Sequence, residues 1–404
     1  MTETTISPSN LGSPKVTPVL YLSGAPRLST KPTTESLGPR SHILGVIGAL
    51  RDSGSSVRTF VVGDTVPQSF HASGSEARMT ASILRLLAAD VGRLVYRVRS
   101  RVNLRRHLGT TSPAAAMAYE RYALMQELGS VAQRRGATWV LEVNALLAIE
   151  STSDRRATSS RRVATFFERR TLRRADLIVA VTEQLKTAIH EIYGVPIDRI
   201  LVVENGVDTT RHENASAQQQ EVPTIGFLGT LYPWQRVDRL LRAVCASETP
   251  WRVRIAGEGP EYGTLRRLSD ELGLGSRVTF LGRVHPDEVP SFLRTVDICY
   301  AGHGSSEGVY FSPLKLWEYL AAGRPVLASR HDTTERLSSE GYAVEVFGEN
   351  EGELEQALRT ASTRLADLLR TGVRDQERVR SAHSWTARIQ PLLDRVAQIR
   401  RYTT

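Results

Sequence analysis

Three loops in the second half of the chain place glycine directly after an apolar run and ahead of a helical pattern. They are Gly229-Thr-Leu-Tyr-Pro-Trp-Gln-Arg236, Gly257-Glu-Gly-Pro260 and Gly302-His-Gly304. Glycine lets an anion approach the backbone, and a helix start offers free N–H groups and a positive dipole. Each loop alone also reads as an ordinary turn. The segment Tyr310-Phe-Ser-Pro-Leu-Lys-Leu-Trp-Glu-Tyr-Leu-Ala-Ala-Gly323 adds charge to the pattern. Pro313 favours a helix start with Ser312 as its cap. Lys315 then falls in the first turn, where a cation opposes the helix dipole unless an anion sits there. Glu318, one turn on, could accept hydrogen bonds from a ribose diol. A capped core helix with an exposed Lys and Glu is the plainer reading of the same residues.

In the first half, Glu142 and Asn144 project from the same side of one strand near its carboxyl end, a place for an acceptor's base or for an ordinary hydrogen-bonded strand terminus. His42 stands beside Gly38 in a loop that opens a helix, and is a weaker candidate.

These groups need a scaffold, and the hydrophobic pattern supplies one. Pro18–Gly24 and Ser56–Val62 are strands around an amphipathic helix at Ile43–Arg51, a βαβ unit that predicts a parallel sheet. Helices are expected over 76–107 and Pro113–Arg135, followed by strands at Thr138–Asn144, Asp176–Val181 and Ile200–Val203. The alternation restarts after a Gln-rich polar stretch at 212–221, with strands at Thr224–Gly229, Trp251–Ala256, Val278–Leu281, Ile298–Tyr300, Val326–Ala328 and Ala343–Val346. In open α/β sheets, ligands bind beyond the carboxyl ends of the strands, which is where the three glycine loops fall. The fold class is α/β, with two doubly wound domains facing each other.

Composition fits this and excludes other classes. The chain has 404 residues, more than one core usually accommodates, with 41% hydrophobic and 24% charged residues. Cys245 and Cys299, the two cysteines, cannot form a disulfide framework and suit a reducing compartment. Residues 1–17 are polar, lack the order of a secretion signal and predict a disordered N-terminus. No apolar run approaches membrane-spanning length, so a cytoplasmic location is expected. The net charge of +9, from 52 basic against 43 acidic residues, admits nucleic acid, anionic membrane or phosphorylated ligands as partners. Nucleic acid is disfavoured because aromatic and basic residues are not interleaved as in a stacking platform.

The stretch Gly226–Ala328 resembles the nucleotide-sugar-binding domain of retaining GT-B glycosyltransferases, the large family numbered four. The resemblance rests on Asn205-Gly-Val-Asp208, Gly226-Phe-Leu-Gly-Thr-Leu-Tyr-Pro-Trp234 with Val237-Asp238, Ala256-Gly-Glu-Gly-Pro260, Val278-Thr-Phe-Leu-Gly282 and Ser312-Pro-Leu-Lys-Leu-Trp-Glu-Tyr319. The first half resembles the acceptor domain of the same family through Glu120-Arg-Tyr122, Leu141-Glu-Val-Asn-Ala145 and Glu150. The resemblance implies GT-B architecture, with an acceptor-binding domain at 18–205, a donor-binding domain at 206–380 and a helix at 381–404 packing back on the first. It implies that Glu318 binds the donor ribose, that backbone near Arg283-Val284 holds the base, and that Lys315 with the amides of Leu314 and Lys315 meets the pyrophosphate. Gly38, Gly229, Gly257, Gly259 and Ser312 join this donor set. The family's first glutamate falls on Tyr310, with Glu307 three residues earlier as the other candidate for the hexose hydroxyls. Thr230 and Gln235 occupy positions where the family carries Arg and Lys, leaving Arg236 and Lys315 as the nearest cations.

On this reading the chain moves a hexose from a nucleotide sugar, a UDP sugar first of all, to a polysaccharide, glycolipid or secondary-metabolite acceptor. No metal or other cofactor is expected, and no Asp-x-Asp triplet is present. Glu142, Asn144 and His42 are the candidates for the acceptor side. The arginine-rich stretch 93–106 is a solvated face or a contact with an anionic membrane surface. A catalytically impaired relative that serves as a binding scaffold, or a sugar-nucleotide epimerase of the same fold, is the competing expectation.

Overall fold

The computed structural model describes residues 17–31, 37–66, 83–109, 115–151, 158–212, 219–304, 314–350 and 352–403. The first domain contains β1 (Thr17–Ser23), α1 (Leu37–Asp52), β2 (Ser55–Val61), α2 (Ile83–Leu108), β3 (Met117–Arg121), α3 (Gly129–Gln133), β4 (Thr138–Val143), α4 (Leu147–Glu150), α5 (Arg161–Arg174), β5 (Leu177–Ala180), α6 (Glu183–Tyr193) and β6 (Ile200–Val202). The second contains β7 (Thr224–Leu228), α7 (Val237–Ala246), β8 (Arg252–Ala256), α8 (Tyr262–Glu271), β9 (Val278–Gly282), α9 (Val289–Arg294), β10 (Ile298–Ala301), α10 (Leu314–Ala321), β11 (Val326–Ser329), α11 (Asp332–Ser339), β12 (Val344–Phe347), α12 (Glu353–Thr363) and α13 (Leu365–His383). After Ser384, α14 (Trp385–Thr403) returns to the first domain.

Two six-stranded sheets result, ordered β2-β1-β3-β4-β5-β6 and β12-β11-β10-β7-β8-β9. Every strand pair is parallel. Helices cover both faces, so the central strands are buried on both sides and read as unbroken apolar runs. Leu177–Ala180 and Ile298–Ala301, for example, are buried throughout. In the first sheet the strand order reverses between β1 and β3, and in the second between β7 and β10. A doubly wound sheet opens its ligand crevice at such a reversal.

Of the helix expected over 113–135, the described part keeps only the short α3, Gly129–Gln133. Met117–Arg121 is instead a central strand between β1 and β4. Its sequence favours helix locally, but burial in mid-sheet overrides propensity. Tyr119 stacks on Tyr21 of β1 with ring centroids 5.7 Å apart. The buried Glu120 carboxylate accepts from Leu128 N at 2.7 Å and Gly129 N at 2.8 Å, which turns the chain into the short α3.

The return of α14 completes the first domain's core. Ile389, Leu392 and Val396 pack with Val46, Ile47 and Leu50 of α1. Trp385 fills the space above Gly206 and Gly45, where a side-chain carbon at Gly206 would lie 2.7 Å from the Trp385 backbone.

Candidate functional site

The loops beyond β7, β8 and β9 are stitched edge to edge. Gly229 N donates to Ala256 O at 3.0 Å, and Gly257 N to Gly282 O at 2.7 Å. A side chain at Gly257 would overlap the Gly229 carbonyl, and one at Gly259 would lie 2.6 Å from the Leu231 carbonyl oxygen. Only glycine permits loops this close. Across the switch point, Gly304 N donates to Trp234 O at 2.7 Å and the buried Tyr300 hydroxyl to Arg236 O at 2.8 Å. His303 N donates to Ser329 Oγ at 2.8 Å, joining the ends of β10 and β11.

Into this crevice the first turn of α10 delivers Lys315. Its ammonium stands 4.4 Å above the Phe227 ring and donates to Gln235 Oε1. Burial pushes it down to about 7. An ammonium that loses charge by desolvation is stabilised by an arriving anion. Leu314 opens the helix beside it. Glu318 follows one turn later, with its side chain 29% exposed. Burial pushes its carboxyl up to about 7. His212 Nε2 faces it at 3.9 Å. That imidazole is buried, neither ring nitrogen has a hydrogen-bond partner among the described residues, and burial drops it to about 4.

Other expected residues have side-chain partners of their own. Arg236 adopts a left-handed backbone at φ 48° and pairs with Asp238 at 3.2 Å, so its charge is already partly answered. Lys315 is therefore the better placed cation. Arg283 lies 3.9 Å from Glu258 at the surface, and Val284 packs against the β10 side of the core. Glu307, Tyr310 and Ser312 lie outside the described residues.

On the other domain, Glu142 at the end of β4 is buried and accepts from three side chains, with a fourth close by. Tyr119 donates its hydroxyl at 2.6 Å, Arg121 its Nη1 at 2.8 Å, Asn144 its amide, and His42 Nε2 approaches to 3.4 Å. Arg121 also donates to His42 Nδ1 at 2.7 Å, which fixes the proton on Nε2. Burial holds His42 neutral, down to about 4. Burial raises Glu142, but His42, the Arg121 cation and the Tyr119 and Asn144 donors together outweigh it, and the carboxyl stays below its ordinary range. A cavity of about 10 Å³, room for one water, lies between His42, Glu142, Asn205, Trp385 and Arg388. The Glu142 carboxylate is thus engaged by Tyr119, Arg121 and Asn144 at the end of β4. Gly38 sits in the first turn of α1, with open space at its α-carbon.

The sequence reasoning passed over Arg121 and His212. Arg121 is the middle residue of the Glu120-Arg-Tyr122 motif, and its partner Glu142 lies in the Leu141–Ala145 motif. The pairing of the two motifs is the signal that could have found it. The two domains meet across the cleft where Gln184 of α6 donates to Asp332 of α11, and where Glu204 accepts from Arg336 at 2.7 Å and Arg388 at 2.6 Å.

Two family profiles match this chain. One, described as "Glycosyl transferase 4-like domain", covers residues 38–206, and the other, "Glycosyl transferases group 1", covers residues 222–364. The chain belongs to the group 1 glycosyl transferases and has GT-B architecture. Among curated relatives, D-inositol 3-phosphate glycosyltransferase of Rhodococcus erythropolis is 28% identical over 303 residues, 67% of this chain and 65% of the relative. The 2-deoxystreptamine glucosyltransferase of Streptomyces kanamyceticus is 26% identical over 52% of this chain and 53% of its own. For these two and a Nocardia farcinica relative, the match spans 39% to 65% of the relative's length. Among solved structures, sucrose-phosphate synthase from Thermosynechococcus elongatus superposes with a TM-score of 0.69 at 16% identity, covering 96% of this chain and 100% of that one. Anabaena HepE, solved in complex with UDP-glucose, gives 0.59 at 16% identity, with 94% and 99% covered. These structures share the fold.

Proposed function

We propose that the protein is a retaining glycosyltransferase that moves a hexose from a UDP sugar to an acceptor held against the first domain. One observation carries this reading: Lys315 and Glu318, a turn apart on α10, stand beneath the loops of the β7/β10 reversal. Lys315 and the amides of Leu314 and Lys315 meet the diphosphate as negative charge develops on it, which lowers the barrier to departure. Glu318 accepts from the ribose diol, and the backbone at Arg283-Val284 takes the base. HepE's complex with UDP-glucose supports a UDP-linked donor. On the acceptor side, His42 and Asn144 flank the cleft end of β4, with Glu142 fixing their orientation. Polysaccharide, glycolipid and secondary-metabolite acceptors all suit such a cleft. We assign the protein to the cytoplasm, in keeping with two free cysteines. Among the described residues, no helix is long and apolar enough to cross a membrane.

A second reading, a donor-binding protein with impaired catalysis, draws on Gln235, a neutral partner to Lys315 where the family carries a cation. Calorimetric titration with UDP, then with UDP and GDP sugars, tests the first step. Tight binding of one nucleotide, lost in Glu318→Ala, is the expected result. A folded protein that binds no nucleotide would sink the enzyme reading. Binding without turnover of any donor, hydrolysis included, would favour the scaffold.

A further inference from the structure

The arginine-rich stretch 93–106 lies on α2, and half of its charge is turned inward. Arg93 pairs with Asp90 at 2.6 Å, while Arg97 and Arg101 both bond Glu127. Among its outward residues α2 presents an apolar stripe. Leu84, Val91, Val95 and Val98 are 73%, 61%, 60% and 64% exposed. Steps of seven, four and three residues put them on one side of the helix. Isolated exposed apolar residues are ordinary, but a stripe along one helix is not.

Beside it, α5 repeats the arrangement. Val163 and Phe166 are exposed there. The helices are joined: Thr158 and Ser159, at the start of α5, both bond the Asp90 carboxylate, and Arg97 lies 5.1 Å over the Phe167 ring. Phe166 meets Phe167 edge-on at 5.5 Å.

The charge around this surface has one sign. Together α2 and α5 carry thirteen arginines against two acids, Asp90 and Glu168, and both acids are buried. Arg99, Arg105 and Arg106 are exposed beside the stripe, as are Arg161, Arg162, Arg169 and Arg170 on α5. Arg134 nearby is shifted down by partial burial and by Arg101, Arg105 and Arg174, a crowding of cations in search of anions. Pairing with a second copy would oppose arginine to arginine, since neither helix exposes an acid. An anionic lipid surface supplies both the apolar layer and the charge.

We propose that α2 and α5 form one platform that docks on an anionic bilayer, the stripe entering the acyl boundary and the flanking arginines meeting lipid phosphates. The proposal rests on exposure and charge and stands independently of the sugar-transfer reading. The test is sedimentation of the full-length protein with phosphatidylcholine vesicles, with and without phosphatidylglycerol, at low and physiological salt. The wild type is expected to pellet with the anionic vesicles, less so at high salt, and to stay in solution with the neutral ones. Arg99→Gln with Arg106→Gln should weaken partition about 25-fold, at about five-fold for each basic side chain. Val95→Asp with Val98→Asp should abolish it, with UDP affinity and melting temperature unchanged. The proposal is overturned if the wild type fails to pellet with anionic vesicles at low salt, or if the aspartate variant pellets as well as the wild type. It is also overturned if ultracentrifugation shows a dimer which that variant dissolves.

Discussion

Lys315 and Glu318 are shifted by the same burial in opposite senses, and both arrive at about 7. Each can recover its charge through a ligand: Lys315 through an anion, Glu318 by accepting hydroxyls. UDP affinity should therefore fall as pH drops below about 7, where Glu318 takes a proton, and fall again as pH rises past it, where Lys315 loses one. Calorimetric titration across neutral pH separates the two limbs. Lys315→Met should remove the alkaline limb and weaken UDP about ten- to a hundred-fold while sparing uridine, which has no phosphate. In Glu318→Gln the acid limb should vanish, with about ten-fold loss for UDP and uridine alike. Glu142 belongs to stability first. Glu142→Gln leaves the partly buried Arg121 without its counter-charge and should cost about 3 kcal/mol, read as a lowered urea midpoint. Its carboxyl is depressed when folded, so the stability it lends is present above about 4.5 and is lost as pH falls further. The deficit of the variant should shrink over that acid range.

At the scale of elements, the second domain was the more legible in the sequence, because its site is announced locally. Glycine after each strand, and a proline, a lysine and a glutamate spaced along one helix, are signals confined to a few residues. The first domain hides its site in pairings across the sheet. Met117–Arg121 looks helical until β1 and β4 enclose it, and with that strand misread the partnership of Arg121 with Glu142 could not be seen. His212 was invisible for the same reason, since nothing in the linker says that its ring faces α10. The helix α14 shows how tightly such distant contacts bind. Trp385 packs on Gly45 of α1 and Gly206 of the linker, with the His42 ring 4.9 Å away edge-on. Trp385→Ala should cost about 3 kcal/mol and loosen His42 along with the helix, which urea unfolding and protection of the α1 amides would reveal.

For the whole molecule, the two domains are coupled, among the described residues, by polar contacts that centre on Glu204 and Gln184. Glu204, at the end of the first domain, holds Arg336 of the second and Arg388 of α14 together. Glu204→Gln should weaken this bridge, widen the distribution of domain angles and lower UDP affinity less than three-fold. Small-angle scattering with and without UDP would show it as a larger radius in the empty protein. A narrow, unchanged radius would place the hinge elsewhere. The return of α14 carries a further consequence, for synthesis. Domains made on a ribosome ordinarily close in the order in which they emerge. Here Val46, Ile47 and Leu50 wait for Ile389, Leu392 and Val396, which are translated a whole domain later. The first domain to be made is the last to be finished, and its apolar face is left to chaperones in the interval.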